Sequence, residues 1–291
     1  MKTDFTRRQS FIIIGVIYLV AAAVGVASYL LMPDGWGFWL KLLLADILAT
    51  VVTFIFSLVF KNASVYDPYW SVQPIVIIIA FMIGQRITPL KLLLVLTILL
   101  WGIRLTANWA YTFKSLAHED WRYRMLAEKT GAAYPIVNFV GIHLVPTLVV
   151  YLCALPAVAL VQSGSDGNII SYFALLLSIG AATMQGFADV QMHRFRKSGK
   201  GGFIRDGLWK NSRHPNYLGE IFMWWGIGIS AVSAIGFNFP YFLLLAGAVA
   251  NTALFLFVSI PLAEGKQAKK EGYDEYKAQT RALLPFAKKV K

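Results

Sequence analysis

Charge is what this chain has least of. Of its 291 residues only 14% are charged, while 57% are hydrophobic and mean hydropathy is +0.59. Water-soluble domains carry about 25% charged residues, so a soluble fold of this size would lack the polar surface to cover itself. Lipid is its expected solvent. Cysteine is nearly absent too. Cys153 stands alone inside an apolar run, which excludes a disulfide within the chain and leaves it as a small core residue. The every-second-residue alternation of a membrane barrel strand is missing; the apolar runs are continuous, as in 11–32. Only helices and closed barrels satisfy the backbone in hydrocarbon, so an all-α integral membrane bundle is expected. No G-x-G-x-x-G follows a strand, and there is no P-loop and no serine elbow. His193 and His214 have no cysteine nearby and no H-x-x-x-H spacing, so no metal site is expected. The first apolar run is too long for a cleavable signal and lacks a small-residue cleavage site.

A hydrocarbon core of about 30 Å takes roughly 20 apolar residues per helix. Spans therefore fall near 10–32, 36–60, 70–84, 89–112, 136–162, 168–191, 216–236 and 239–262. The third is short and flanked by Pro68 and Pro74, which gives eight crossings, or seven if that segment is re-entrant. With eight crossings and the N-terminus inside, 23 of the 27 lysines and arginines lie on the inner side. That bias is the positive-inside pattern, and N-in/C-in follows. The same pattern accounts for the net charge of +12, so no nucleic-acid partner is expected. With no internal repeat and no soluble domain, residues 1–291 form one transmembrane domain. Its basic C-terminal stretch, 263–280, has the pattern of a short amphipathic helix lying on the membrane surface.

Ionisable groups in apolar spans are expensive and point to function or to a buried partner. Asp46, Asp67, Glu119, Asp120, Asp189, Glu220 and Glu264 lie in spans or at their inner ends. Asp46, near mid-span, is either functional or a structural partner of Arg104. Asp67 sits beside Pro68, Tyr69 and Trp70, either as part of an interfacial anchor or as a ligand wall and proton donor. Glu119-Asp120-Trp121-Arg122-Tyr123 is a charge run that is either solvated and self-paired or functional. The densest region is 185–220. Gln185, Asp189, His193 and Arg196 recur at helical spacing and share one face. A basic glycine-rich loop follows, Lys197-Ser198-Gly199-Lys200-Gly201-Gly202-Phe203. Then Ser212-Arg213-His214-Pro215-Asn216-Tyr217-Leu218-Gly219-Glu220 opens the seventh span, with Pro215 where a first helical turn accepts it. Helix N-termini and arginines bind phosphates, although a cationic loop is also what topology alone produces.

These residues carry a resemblance. The stretch 185–286 is similar to the C-terminal domain of steroid 5-alpha-reductases, and the whole chain resembles their bacterial relatives. Asp189 with Arg196 seven residues on, Gly207-Leu208-Trp209, Asn216-Tyr217-Leu218-Gly219-Glu220, and Tyr276 through Arg281 to Leu284-Pro285-Phe286 match that domain. The run 213–219 also resembles sterol C14 and C7 reductases. The resemblance implies a helical bundle that binds NADPH from the cytoplasm and reduces a carbon–carbon double bond in a steroid-like or isoprenoid-like lipid. It implies cofactor contacts from Asp189, Arg196, Asn216 and Glu220, to which Arg205, Arg213, His214 and Tyr217 are added from the same region. Trp101 stands where the family has a catalytic tyrosine shortly before an arginine, here Arg104. Gly265 and Lys269 fall where the family has a cofactor-contacting histidine and tyrosine. Asp67 with Tyr69 is the substitute proton-donating pair.

A second resemblance is to isoprenylcysteine carboxyl methyltransferases, which also carry Arg-His-Pro-x-Tyr-x-Gly and then an acid, here Glu264. It implies S-adenosylmethionine in place of NADPH. A non-catalytic lipid- or sterol-binding protein is a third reading. The many basic residues around 194–213 favour a cofactor with phosphates. The expected setting is a multi-pass protein of a bacterial inner membrane with its site facing the cytoplasm, its partners a hydrophobic lipid substrate and membrane lipids, with no required protein partner.

Overall fold

The computed structural model describes residues 5–285, and no strand occurs among them. Phe286, Lys2, Asp4 and the tail lysines Lys288, Lys289 and Lys291 lie outside the described residues. Eight helical stretches among the described residues are long and apolar enough to cross a membrane. The first is α1 (Arg7–Leu31), whose start is set by a capping box between Thr6 and Gln9. Next come α2 (Phe38–Val59) and the stretch Ala63–Met82, a 3-10 turn leading into α3 (Tyr69–Met82). That third stretch has 20 residues, 14 of them in α3, and is long and apolar enough to be an eighth crossing. The fourth crossing is α4 (Pro89–Thr112).

The fifth, Trp121–Gln162, is longer than the apolar pattern indicated. It joins α5 (Trp121–Thr130), a 3-10 turn, α6 (Tyr134–Val137), a π-helical turn Asn138–Leu144 and α7 (Val145–Gln162). Sixth is α8 (Ile169–Lys197), capped by Asn168 and carried past the expected end with Arg194, Arg196 and Lys197 in its last turn, where cations favour the helix dipole. The short α9 (Leu208–Asn211) precedes the seventh crossing, α10 (Pro215–Ile235). The eighth, Tyr241–Gln267, contains α11 (Ala246–Leu254), a π-turn and α12 (Ile260–Gln267).

The stretch 263–280 is not one surface helix. The last crossing runs on to Gln267, the chain turns at Gly272, and α13 (Tyr273–Gln279) buries Tyr273 and Tyr276 against protein. Tyr276 donates to the Trp209 carbonyl, and Phe203 packs 5.2 Å from both tyrosine rings. Its aromatic stripe faces the chain rather than lipid.

The helices gather into two compact units, Met1–Ile77 with Leu105–Tyr151, and Ile78–Arg104 with Leu152–Lys291. In the first, α1 and α2 pack where Gly25 meets Ala45 and Ala49, and the buried rings of Tyr66 and Tyr69 fill the space beside them. The second is built on the crossing of α8 and α10. A side chain at Gly219 would come 2.7 Å from the Ala181 carbonyl, and one at Gly226 2.7 Å from the Ala174 carbonyl. Small residues at these two levels let the backbones meet, and the Ser178 hydroxyl donates across to the Met223 carbonyl at 3.0 Å. Lipid offers no hydrophobic drive between helices, so such close packing and interhelical hydrogen bonds hold them together.

Candidate functional site

In the second unit the buried acids of the 185–220 region converge on one base. Arg104 donates from Nη1 to Asp189 Oδ2 at 2.6 Å and from Nη2 to Gln185 Oε1 at 2.5 Å, with Glu220 Oε2 at 3.7 Å. Glu220 is only 4% exposed and is held mainly by neutral donors. The Trp101 indole reaches both of its oxygens at 2.8 Å, and the Trp224 indole reaches Oε1 at 2.9 Å. Trp101 and Arg104 lie three residues apart and so share a face of α4, while Gly186 leaves room beside the arginine stem. Within its own unit Arg104 is partnered by Asp189, Gln185 and Glu220, and within the first unit the Asp46 carboxylate is taken by Tyr69 and Gln73. The signal available in sequence was an arginine in an apolar span, which requires an acid without saying which.

Beyond Asp189 the polar face of α8 emerges. His193 is half-buried and Arg196 is exposed. The loop after it turns back at Gly207, where φ is +60 and any side chain would strike Gln191 within 2.6 Å. Gln191 in turn accepts the Leu208 N–H at 2.9 Å. Lys270 donates to the Gly202 carbonyl, which ties the loop to the chain end. The Lys270 ammonium is pushed below its ordinary pKa by desolvation first, then by the like charges of Lys266 and Arg196. Arg205 lies over the Phe203 ring at 5.1 Å. Arg194, Arg196 and Lys200 form no ion pair with another described residue.

The Arg-His-Pro element builds a different cluster. Arg213 donates from Nε and Nη2 to Glu264 Oε1 at 2.8 and 2.6 Å, and from Nη1 to the carbonyls of Thr280 and Lys277. Lys277 meets the other Glu264 oxygen at 3.1 Å, and His214 Nε2 lies 3.3 Å from Oε1. The guanidinium expected to meet a phosphate is therefore engaged in fastening the C-terminal segment. The rings of His214 and Tyr217 stack at 5.1 Å, and Tyr217 packs on Phe255. Asn216 is half-buried and its Oδ1 has no hydrogen-bond partner among the described residues. Beside this cluster burial raises Tyr273 to about 12, helped by the Glu264 charge and opposed by Arg213.

The expected pair in the first unit divides. Asp67 accepts from the Tyr123 phenol, with Arg122 at 4.0 Å, whereas Tyr69 donates to Asp46 at 3.2 Å. Pro68 separates the two residues at a turn, and Tyr69 is the first residue of α3, so its ring is carried toward α2. The charge run is not merely solvated. Glu119 accepts the Ala63 N–H at 2.8 Å, and Asp120 caps α5 while pairing with Arg122.

Residues 53–280 match the family described as a protein of unknown function, DUF1295. An uncharacterized protein of Schizosaccharomyces pombe is 27% identical, over 64% of this chain and 62% of that protein. The match thus spans less than two thirds of that relative's length. No solved structure matches the chain.

Proposed function

The chain belongs to the DUF1295 family, and from that premise we propose a membrane-embedded reductase that takes NADPH at the basic end of its second unit and reduces a carbon–carbon double bond in a steroid-like or isoprenoid-like lipid. The observation that carries this reading is the exposed basic set of Arg194, Arg196 and Lys200 on and after α8, joined by Arg205, a set that forms no ion pair with another described residue. A nucleotide with a diphosphate and a 2′-phosphate needs several such groups, because charge-assisted arginine–phosphate bonds are the strong kind. Like charges held close at Lys266, Lys270 and Arg196 repel one another, and a bound polyanion relieves that repulsion. The buried side-chain atoms suit the rest of the cofactor. Among the described residues Gln185 Nε2 is a donor without a partner and Asn216 Oδ1 an acceptor without one, and either could serve an amide or a sugar hydroxyl. Asp189 and Glu220 would bear on the same ligand through Arg104, and His214 and Tyr217 would offer ring surface, while Arg213 acts by holding the C-terminal segment over this end.

When bound, NADPH supplies the hydride. The chain's own part is to exclude water, so that hydrogen bonds to a developing enolate strengthen, and to deliver a proton. We take the cytoplasm as the side from which the cofactor comes.

S-adenosylmethionine remains the second reading, favoured by the meeting of Arg213, His214 and Glu264. Against it, Glu264 is already matched by Arg213 and Lys277, and a sulfonium ligand leaves the exposed basic set without a role. Titration of the purified protein separates the readings. NADPH is expected to raise the unfolding midpoint and S-adenosylmethionine not to; the reverse result overturns the proposal. Arg196→Ala is expected to weaken NADPH binding roughly tenfold or more, the worth of a hydrogen bond to a charged group. Binding of neither cofactor together with binding of a lipid probe supports the non-catalytic lipid-binding reading.

A further inference from the structure

The interior of the first unit holds polar side chains whose needs are not met within the chain. Asp46 and Thr50 lie one turn apart on α2, and Tyr69 and Gln73 one turn apart on α3. His143 and Thr147 follow each other from the π-turn into α7, and π-turns are frequent at functional sites. Asp46, 5% exposed, accepts from the Tyr69 phenol and the Gln73 amide. The hydroxyls of Tyr66 and Thr50 meet that of Thr147 at 2.7 and 2.9 Å. Tyr66 links the group, its ring 4.7 Å from His143 and 5.3 Å from Tyr69.

Gln73 Oε1 and His143 Nε2 in this layer are buried with no hydrogen-bond partner among the described residues, on side chains 6% and 0% exposed. Their polarity is fixed by their neighbours. Gln73 must turn its NH2 to the Asp46 carboxylate, which leaves its oxygen as the unpaired end. His143 Nδ1 lies 3.0 Å from the Asn138 carbonyl, which can only accept, so the proton sits on Nδ1. In an apolar interior the neutral ring is the cheaper form, so Nε2 is a lone pair. Both vacant positions are therefore acceptors, and a buried acceptor left unpaired costs about 1–3 kcal/mol. What the layer lacks is a donor. Around Tyr66 and Tyr69 the cover is partly buried apolar and aromatic side chains, Tyr18, Val52 and Trp70.

We propose that this layer binds the hydroxyl head of a lipid alcohol, which donates to Gln73 Oε1 or His143 Nε2 while its apolar body lies against Tyr18, Val52 and Trp70. A ketone has no proton to offer these atoms. An ammonium has, but it sheds far more hydration on entering an apolar interior than a hydroxyl does. The inference goes beyond the reductase reading and does not depend on it, since no nucleotide takes part.

The test is equilibrium binding to the full chain in detergent micelles, without nucleotide, using farnesol and a 3-hydroxysteroid as probes. Each is compared with its methyl ether, its carbonyl analogue and its amine. At least one alcohol is expected to bind about tenfold or more tightly than its ether and its carbonyl analogue, the low end for one unpaired acceptor. His143→Phe keeps a ring against Tyr66 and removes the acceptor; Gln73→Met keeps the volume. One of the two is expected to erase the alcohol-over-ether preference. If neither variant folds, the comparison of alcohol with ether on the unaltered protein still decides. Equal binding of alcohol and ether, tighter binding of the ketone or the amine, no binding by either alcohol, or a preference that survives both substitutions overturns the proposal.

Discussion

Arg104→Met is the substitution that most directly tests the architecture of the second unit. Methionine replaces the aliphatic stem of the arginine beside Gly186 and removes the charge. Glu220 keeps the indole donors of Trp101 and Trp224, so the loss falls on Asp189, whose ion-pair partner is Arg104 at 2.6 Å. Two opposite charges about 4 Å apart are worth about 4 kcal/mol at an effective dielectric of 20. Removing one partner of a buried pair destabilises by about 3–5 kcal/mol. A loss of about 3 kcal/mol is expected, because Asp189 is buried on most but not all sides. Asp189→Asn alone should cost less, since Arg104 retains Gln185 and Glu220. In the Arg104→Met background, Asp189→Asn should restore about 2 kcal/mol, because a neutral amide no longer needs the guanidinium. Denaturant unfolding in mixed micelles, followed by tryptophan fluorescence, measures all four proteins. Arg104→Met within 1 kcal/mol of the parent, or strictly additive effects, would refute the reasoning.

The close crossing of α8 and α10 makes its own predictions. Gly226→Ala is expected to destabilise by about 1–3 kcal/mol or more, because the new methyl meets the Ala174 carbonyl and the Ser178 hydroxyl, whereas Gly180→Ala, with open space beside it, should be near neutral. Thermal unfolding of the two variants compares them directly. The segment after Gln267 should loosen in base. The Tyr273 phenol titrates near 12 in the folded chain and near 10 when unfolded, so its protonated form is favoured by the fold. That contribution is complete below pH 10 and is lost as pH rises through 12; trypsin cleavage after Lys277 and Arg281 should accelerate over that window and not below it.

Much of the bundle was legible because hydrocarbon imposes one rule on every crossing: continuous apolar residues over a fixed length. The ends were less legible, because local hydrogen bonds decide them. Thr6 and Gln9 start the first helix earlier than hydropathy does, and the polar face of α8 stays helical to Lys197 because its charges suit a helix C-terminus. Asp189 and Glu220 stood out as acids in apolar surroundings, but the base between them did not. Arg104 lies 85 residues from Asp189, and nothing in spacing tells which helices of a bundle are neighbours. The amphipathic pattern of 263–280 misled for a related reason: a helix face that buries Tyr273 and Tyr276 against protein has the same periodicity as one that buries aromatics in lipid. Asp67 and Tyr69, two residues apart, were paired by proximity in sequence, and the start of α3 sends them to different partners.

The manner in which each buried acid is compensated separates a fastening from a working group. Glu264 faces two cations, Arg213 and Lys277, and Arg213 also binds the carbonyls of the segment it holds, so the acid's charge is more than matched. Among the described residues Asp189 and Glu220 share one guanidinium as ion-pair partner, one carboxylate more than that base can match, and Glu220 relies on two indoles for its nearest donors. A carboxylate held this way is the more easily neutralised of the two kinds. Glu220→Gln keeps an oxygen for both indoles and removes the excess charge, so stability should change by less than about 1 kcal/mol, while any ligand that depends on that charge should bind differently. Glu264→Gln strips a buried arginine of its counterion and should cost about 3–5 kcal/mol, with early proteolysis of the segment from Gly272 to Arg281. Unfolding measurements on the two amides rank them. If Glu220→Gln proves the more damaging, the excess charge is being met by something other than Arg104, and the division between fastening and working acids is wrong.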